Sequence, residues 1–341
     1  MYISLFGGQG NFYKVNMHCH TDISDGHSTP EEVKKMYVDA GYSAVCFTDH
    51  EVLVPHKELC DESFIALHGY EVSVSDMKTQ YKNSGYKPVY HVNFIAKSQD
   101  NVKMPRFYKS NPSKFGNARA WANEIGQYDE NDTVDGVKYD VEWLNDYFKA
   151  VSEAGFLINY NHPQWSLQTR GDYIGLEHVH SVEVINGTCA VMNDNTSIHY
   201  EHFLRVGKHV VPTGGDDNHS EGNMFWGWTV INAPVLTYDA LISAYERGAC
   251  YASEGPDIYS VAIEDGIIKV KTSPVRSIVL LCDTRYFRKV RSRTETYTEA
   301  EFEYLPEKFG SYFRIEVRDA EGYKAFSNAF YIDDIEKVMQ K

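Results

Sequence analysis

Between about residue 15 and residue 250, short apolar runs alternate with amphipathic helical stretches, and few folds accept that rhythm. "KVNMHCH" reads as a strand, "TPEEVKKMYVDAG" as a helix and "SAVCFTDH" as the next strand. In that helix Thr29 can cap, Pro30 suits the first position, Glu32 completes a capping box and Gly41 ends it. Strand–helix–strand units favour a parallel sheet, because the crossover helix brings the second strand back in the same direction. The alternation goes on through the strands "FIALHGYEV", "FLINYNHP", "SVEVING" and "HVVPTGGDDNH". The helices "YDVEWLNDYFKAVSEAG", "NTSIHYEHFLRVG" and "TYDALISAYERG" fall among and after them. Residues 1–255 are expected to form one α/β domain, either a barrel or a doubly wound sheet.

Two stretches break the pattern. Residues 98–140 are polar and rich in Asn and Asp, and read as an insertion or lid with a short helix around Ala118–Ile125. From about Asp257 the texture changes to short alternating strands parted by turn signals such as "EDG" and "AEG". Residues 256–341 are therefore expected to form a small all-β, sandwich-like domain.

The formal net charge of −15 makes a long nucleic acid a poor partner, since an acidic surface repels a phosphate backbone. No apolar run reaches the roughly 20 residues that span a bilayer, so no membrane partner is expected. The start of the chain shows no basic segment followed by an apolar core, and no signal peptide is read there. Six dispersed cysteines without a C-x-x-C pair suit a reducing cytoplasm better than a disulfide framework. The oligomeric state is not legible.

The chemistry lies in where histidines and acids fall. His18 and His20 close the first strand, and their i, i+2 spacing points both to one face, with Cys19 on the other. Asp25 follows in the next loop. His50, Glu71 and His162 end later strands, as do Asp217 and His219 together. Ligands of parallel α/β folds collect at the carboxyl ends of strands. His91 sits near the start of its run and fits less well on spacing. Imidazole and carboxylate suit Zn²⁺, Fe or Mn²⁺. Nine donors on one site imply two or three divalent ions with a carboxylate shared between them. A second H-x-H pair, His178 and His180, precedes its strand and so lies at the wrong end.

"HCHTDISDG", "FTDHE", "GYEVSV", "HVNFIA", "NHP" and "GGDDNH" resemble, in order, the motifs of the PHP family, named for polymerase and histidinol phosphatase. The tail, with "YASEGPDI" and "YFRIEVRDAEGYKAFSNAFYI", resembles the β domain appended in one branch of stand-alone PHP phosphoesterases. The resemblance implies a distorted (β/α)7 barrel holding two or three metals. It gives the first ion to His18, His20, Glu71 and Asp217, the second to Glu71, His91 and His162, and the third to Asp25, His50 and His219. It is this resemblance that brings in His91.

The activity then expected is phosphoesterase (phosphatase) hydrolysis of a small phosphorylated metabolite or nucleotide. A water bridging two cations would attack phosphorus, with Glu71 and Asp217 holding the reacting centre. Arg170, Asn161 and Asn186 are candidates for substrate contact. Asp22, Asp49 and Asp216 border the ligands, and Asp49 or Asp216 could protonate the leaving group. "MFWGW" is expected to pack as core or pocket wall. Two other classes stay open: metal-dependent hydrolysis of a C–N or C–O bond, and a binding module whose metals are structural. No lysine stands at a strand end to bridge metals, which counts against the former.

Overall fold

The computed structural model describes all residues except 8–9, 79–84, 107–114, 119, 122–127, 129–130, 193–194 and 341. Its N-terminal half runs β1 (Tyr2–Phe6), β2 (Asn11–Cys19), α1 (Pro30–Asp39), β3 (Ala44–Phe47), β4 (Ile65–Ser75), β5 (Val89–Ala96), α2 (Val141–Glu153), β6 (Phe156–Tyr160), α3 (Arg170–Tyr173) and β7 (Ser181–Asn186). It continues with α4 (Ile198–Arg205), β8 (Val211–Gly215), β9 (Trp228–Ala233), α5 (Tyr238–Glu246), β10 (Cys250–Ser253), β11 (Ile258–Glu264), β12 (Ile267–Val275) and β13 (Ser277–Cys282). The chain ends with β14 (Phe287–Arg291), β15 (Tyr297–Glu303), α6 (Pro306–Phe309), β16 (Tyr312–Arg318), β17 (Lys324–Ser327), β18 (Phe330–Tyr331) and α7 (Ile332–Met339).

The sequence-predicted first helix is α1. Thr29 caps it, accepting from the Glu32 backbone N–H, while the Glu32 carboxylate returns the bond to the Thr29 N–H at 2.9 Å. Val33 and Tyr37 bury its inner stripe beside Val45 and Phe47 of β3. Strands β2, β3, β4, β5, β6, β7 and β8 are hydrogen-bonded neighbours in that order. All the pairings along this path are parallel except the two that β5 makes. From β8 back to β2 the contact narrows to an isolated bridge, Cys19 to Asn218, with the Asp217 N–H donating to the His18 carbonyl at 2.9 Å. The architecture is thus mixed α/β with much sheet, and its strand ladder is not a closed one.

The reversal of β5 has a direct consequence. Its start, not its end, lies at the rim where β4 and β6 finish, so His91 reaches the same rim as the strand-end donors. Spacing alone could not show this, because it assumes every strand runs the same way.

Two strands that the sequence reading passes over tie the molecule together. β1 pairs antiparallel with β11, so the chain starts in the four-stranded sheet β1-β11-β12-β15. β9 pairs with both β2 and β10, and β10 pairs with β17, which carries the large sheet on to β16, β13 and β14. Ile258, Val261 and Val270 share one apolar cluster with Ile278, Phe313 and Ile315, so the two sheets face a common core. In the stretch 98–140, Ala118, Ala120 and Trp121 are helical, and the rest of the expected helix to Ile125 lies outside the described residues.

Candidate metal centre

Five parallel strands, β2, β3, β4, β6 and β8, and the reversed β5 deliver side chains to a single buried cup. Glu71, fully buried on β4, is its centre. The Glu71 carboxylate lies 3.4 Å from His18 Nε2, 3.3 Å from His20 Nε2 and 3.2 Å from His50 Nδ1. It lies 3.1 Å from His91 Nδ1 and 3.5 Å from His162 Nε2. Asp217 Oδ1 faces His18 and His20 at 3.3 and 3.0 Å. At the outer edge, Asp25 lies 3.5 Å from His219 Nε2 and 3.8 Å from His50 Nε2. Among the described residues, ligand atoms within metal-sharing reach form four groups: His18, His20, Glu71 and Asp217; Glu71, His91 and His162; His20, Asp25, His50 and His219; and His18, His162 and Glu183.

Local structure fixes these positions. His50 follows β3 and bridges to Glu71, and the Glu71 N–H donates to the Asp49 carbonyl at 3.2 Å. Gly215 passes so close to β2 that a Cβ there would stand 2.8 Å from the His18 Cβ. Asp217 has φ of 52°, in the left-handed region, a sparsely populated conformation for a residue with a side chain.

The residues present fit divalent cations. His20 Nδ1, His50 Nδ1, His162 Nε2 and Glu71 Oε2 are buried without a hydrogen-bond partner. Burying such groups unpaired is costly, and a cation among them would satisfy several at once. His18 Nε2 and His20 Nε2 face one another at 3.1 Å, an arrangement that suits a shared acceptor of lone pairs. The field points the same way. Burial alone would lower His20, but Asp217 and Glu71 push it up to about 10. Burial would raise Asp25, but His219, His50 and His20 pull it down to about 2. Burial depresses His50 below the usual imidazole range despite Glu71. The cup holds an excess of anion, which protons or metal ions can balance.

Residues 16–160 match the family model of the PHP domain. Over those residues, less than half of its length, the chain is similar to the PHP domain. No curated protein matches it. Among solved structures, one likeness is to a two-domain protein from Bacteroides vulgatus that contains a predicted PHP-like metal-dependent phosphoesterase. It has 14% identity and a TM-score of 0.45, and covers 96% of this chain and 98% of that one. Another is to an amidohydrolase from Chromobacterium violaceum with bound sulfate and no metal. It has 17% identity and a TM-score of 0.34, and covers 61% of this chain and 88% of that one. Likenesses of this order say nothing of chemistry.

The cup is also held by groups that the sequence places less well. Glu183 was missed. It lies on β7, 3.1 Å from His18 Nδ1, and accepts from the His162 N–H at 3.1 Å. Its one signal is an acid amid the apolar run "SVEVIN". Asn161 and Asn186, nominated for substrate, are buried with their amides spent on carboxylates. Asn161 donates to Glu71 Oε1 at 2.7 Å, and Asn186 to Glu183 at 2.9 Å and Asp217 at 3.2 Å. Arg170 is exposed at the start of α3, in a separate groove with His202, Arg205 and Arg314. Asp49 accepts from the backbone and hydroxyls of Thr21 and Ser24. Asp216 accepts from Tyr37 and from the N–H groups of Phe225, Trp226 and Gly227. Each braces a loop through these bonds, and burial pushes Asp216 up to about 6 despite them.

The pair His178 and His180 stays out of the cup. His180 packs against Tyr245 with ring centres 5.1 Å apart. Of "MFWGW", Phe225 lies edge-on to Tyr37 at 5.2 Å and Trp228 takes the Lys14 ammonium at 3.7 Å, while Trp226 is half exposed.

Proposed function

We propose that this protein is a metal-dependent phosphoesterase of the PHP family, acting on a small phosphorylated metabolite or nucleotide. The observation that carries this reading is Glu71, one buried carboxylate within 3.5 Å of five imidazoles, a position suited to sharing between ions. His18, His20, Glu71 and Asp217 would hold one ion, Glu71, His91 and His162 a second, and Asp25, His50 and His219 a third. Mn, Fe or Zn all suit these donors. Such ions supply an acidified water and neutralise phosphate charge. The chain's own part is to hold the donors. Asn161 and Asn186 fix the carboxylates, Glu183 fixes the His18 ring, and strand packing keeps bulk water from the inner donors.

The seven strands β2 to β8, bent so that β8 touches β2, are read as a distorted (β/α)7 barrel within residues 1–255. Residues 256–341 are read as an appended β-sandwich-like domain. No disulfide joins cysteines among the described residues, and a reducing cytoplasm is the compartment proposed. No helix among the described residues is long and apolar enough to cross a membrane.

Purified protein loaded with Mn²⁺, assayed on phosphomonoesters, phosphodiesters and amides, tests the reading. Turnover of a phosphoester that stops with chelator supports it. Turnover of amides alone would replace it with C–N hydrolysis, and none on any substrate would favour a binding module.

A further inference from the structure

Residues 115–118, within the stretch 98–140, belong to none of the family motifs, yet they touch the outer part of the cup at several independent points. The Phe115 ring lies flat on the His50 ring, with centres 3.8 Å apart and planes 16° from parallel. On its other side His50 stacks on His20 at 4.4 Å, and His20 stacks on His219 at 4.4 Å, so Phe115 ends a column of imidazoles. Phe115 also stands edge-on to His91, at the longer distance of 6.4 Å.

The backbone beside Phe115 grips the loop that carries Asp25. The Asn117 N–H donates to the Ser24 carbonyl at 2.8 Å, and its side-chain amide donates to the Asp22 carbonyl at 2.9 Å. Gly116 has φ of +50°, and a Cβ on it would stand 1.8 Å from the Ser24 oxygen and 3.0 Å from the Asp25 Cα. Only glycine permits this approach. Ala118 is fully buried against Ile23, the residue before the "SDG" turn, and Val52, two residues after His50.

We infer that residues 115–118 are a positioning element for the His20, Asp25, His50 and His219 group, and that this group needs them to hold a divalent ion at full affinity. The inference rests on reading the cup as a metal centre. The physical reason is preorganisation. Asp25 is the most exposed carboxylate of the cup, with its side chain 29% accessible, and sits on a loop instead of a strand. A donor on an unsupported loop must be ordered when the ion binds, at a cost to affinity. Asp49 holds that loop from inside, through Thr21 and Ser24. Gly116 and Asn117 hold it from outside, and Phe115 sets the plane of His50. The two inner groups stand on β2, β4, β5 and the ends of β6 and β8, and draw no hydrogen bond from this segment among the described residues.

The test is a Mn²⁺ titration of the metal-free full chain, counting ions per chain and affinity per class of site. In Phe115→Ala and Gly116→Ala, one class of site is expected to weaken by about 10–100-fold, the range typical of groups that orient metal ligands, while the others keep wild-type affinity. Phe115→Tyr, which keeps the ring, should restore it. Thermal melting of each metal-free variant shows whether it is folded. Should Gly116→Ala fail to fold, Phe115→Ala, which leaves no buried polar group unpaired, decides. Wild-type affinity in every class for a folded Phe115→Ala overturns the inference, as does equal weakening of all classes. A wild-type chain that takes up no Mn²⁺ at all overturns the metal reading and this inference with it.

Discussion

Two histidine pairs in this chain share the spacing H-x-H and share nothing else. His18 and His20 lie where β2 runs out toward the cup, facing Glu71, Asp217 and, for His18, Glu183. His178 and His180 lie where β7 begins, with His178 exposed and His180 against Tyr245. Carboxylates push His20 up to about 10, whereas burial pushes His180 down to about 4. The difference teaches that the motif carries no chemistry by itself. The end of the strand decides which neighbours the imidazoles meet, and the neighbours decide whether a positive charge is welcome.

The comparison breaks most visibly at the shared acid. Glu71→Gln keeps the shape of the side chain but removes the charge that five imidazoles face. Metal-dependent turnover is expected to fall by at least about 10²–10³-fold, the loss typical of removing one preorganised electrostatic partner. Bound metal, measured on the same sample, should fall with it. Unchanged metal content and turnover would mean that Glu71 is a structural counter-charge only.

A smaller loss is expected at Glu183, which meets the first pair from behind. Glu183→Gln can still accept from the His162 N–H but no longer offers a full charge to His18 Nδ1 at 3.1 Å. Metal affinity should drop by about 10–100-fold. A titration of the folded variant that overlays the wild type would remove Glu183 from the site.

Protons sharpen the contrast further. His18, His20 and His162 are all raised, burial being outweighed by Asp217, Glu71 and Glu183 for His18 and His162, and by Asp217 and Glu71 for His20. An imidazole raised well above its usual range, as those of His18 and His20 are, is protonated in the metal-free fold at neutral pH, so its charge stabilises that fold below about pH 6.5 and is lost as pH rises through the higher folded value. Metal must displace those protons. Apparent affinity should therefore rise with pH, by up to about tenfold per unit for each proton released. Calorimetry in buffers of different ionisation enthalpy counts them, and a release of zero would contradict the assignment.

Much of this was legible because it is local. The capping of α1 by Thr29 and Glu32 needs four consecutive residues, and donors at strand ends need only the helix–strand rhythm. What was not legible depends on pairing across the chain. β1 makes sense only once β11 lies beside it, and the reach of His91 only once β5 is known to run backwards. Glu183 reads as an acid spoiling a strand until His18 is placed opposite it. The segment at Phe115 carries no motif, since its fit depends on one glycine against the Ser24 carbonyl.

The smallest effect on the cup is expected from the other pair. His180→Asn should leave metal content and turnover unchanged, and act only on acid stability. The folded His180 titrates near 4, because burial outweighs the pull of Glu246, while an unfolded histidine titrates near 6.5. Between those values the unfolded chain binds a proton that the fold refuses, so the wild type loses stability as pH falls through that window. A shift of that size is worth at most about 3 kcal/mol, and His199, also pushed down to about 4 by burial, adds a share of its own. Denaturant midpoints of the variant should therefore fall less steeply from pH 6.5 to 4 than those of the wild type. Equal slopes would show that His180 is protonated in the fold. A drop in bound metal on this substitution would show that the second pair reaches the cup after all, and the contrast between the two pairs would be lost.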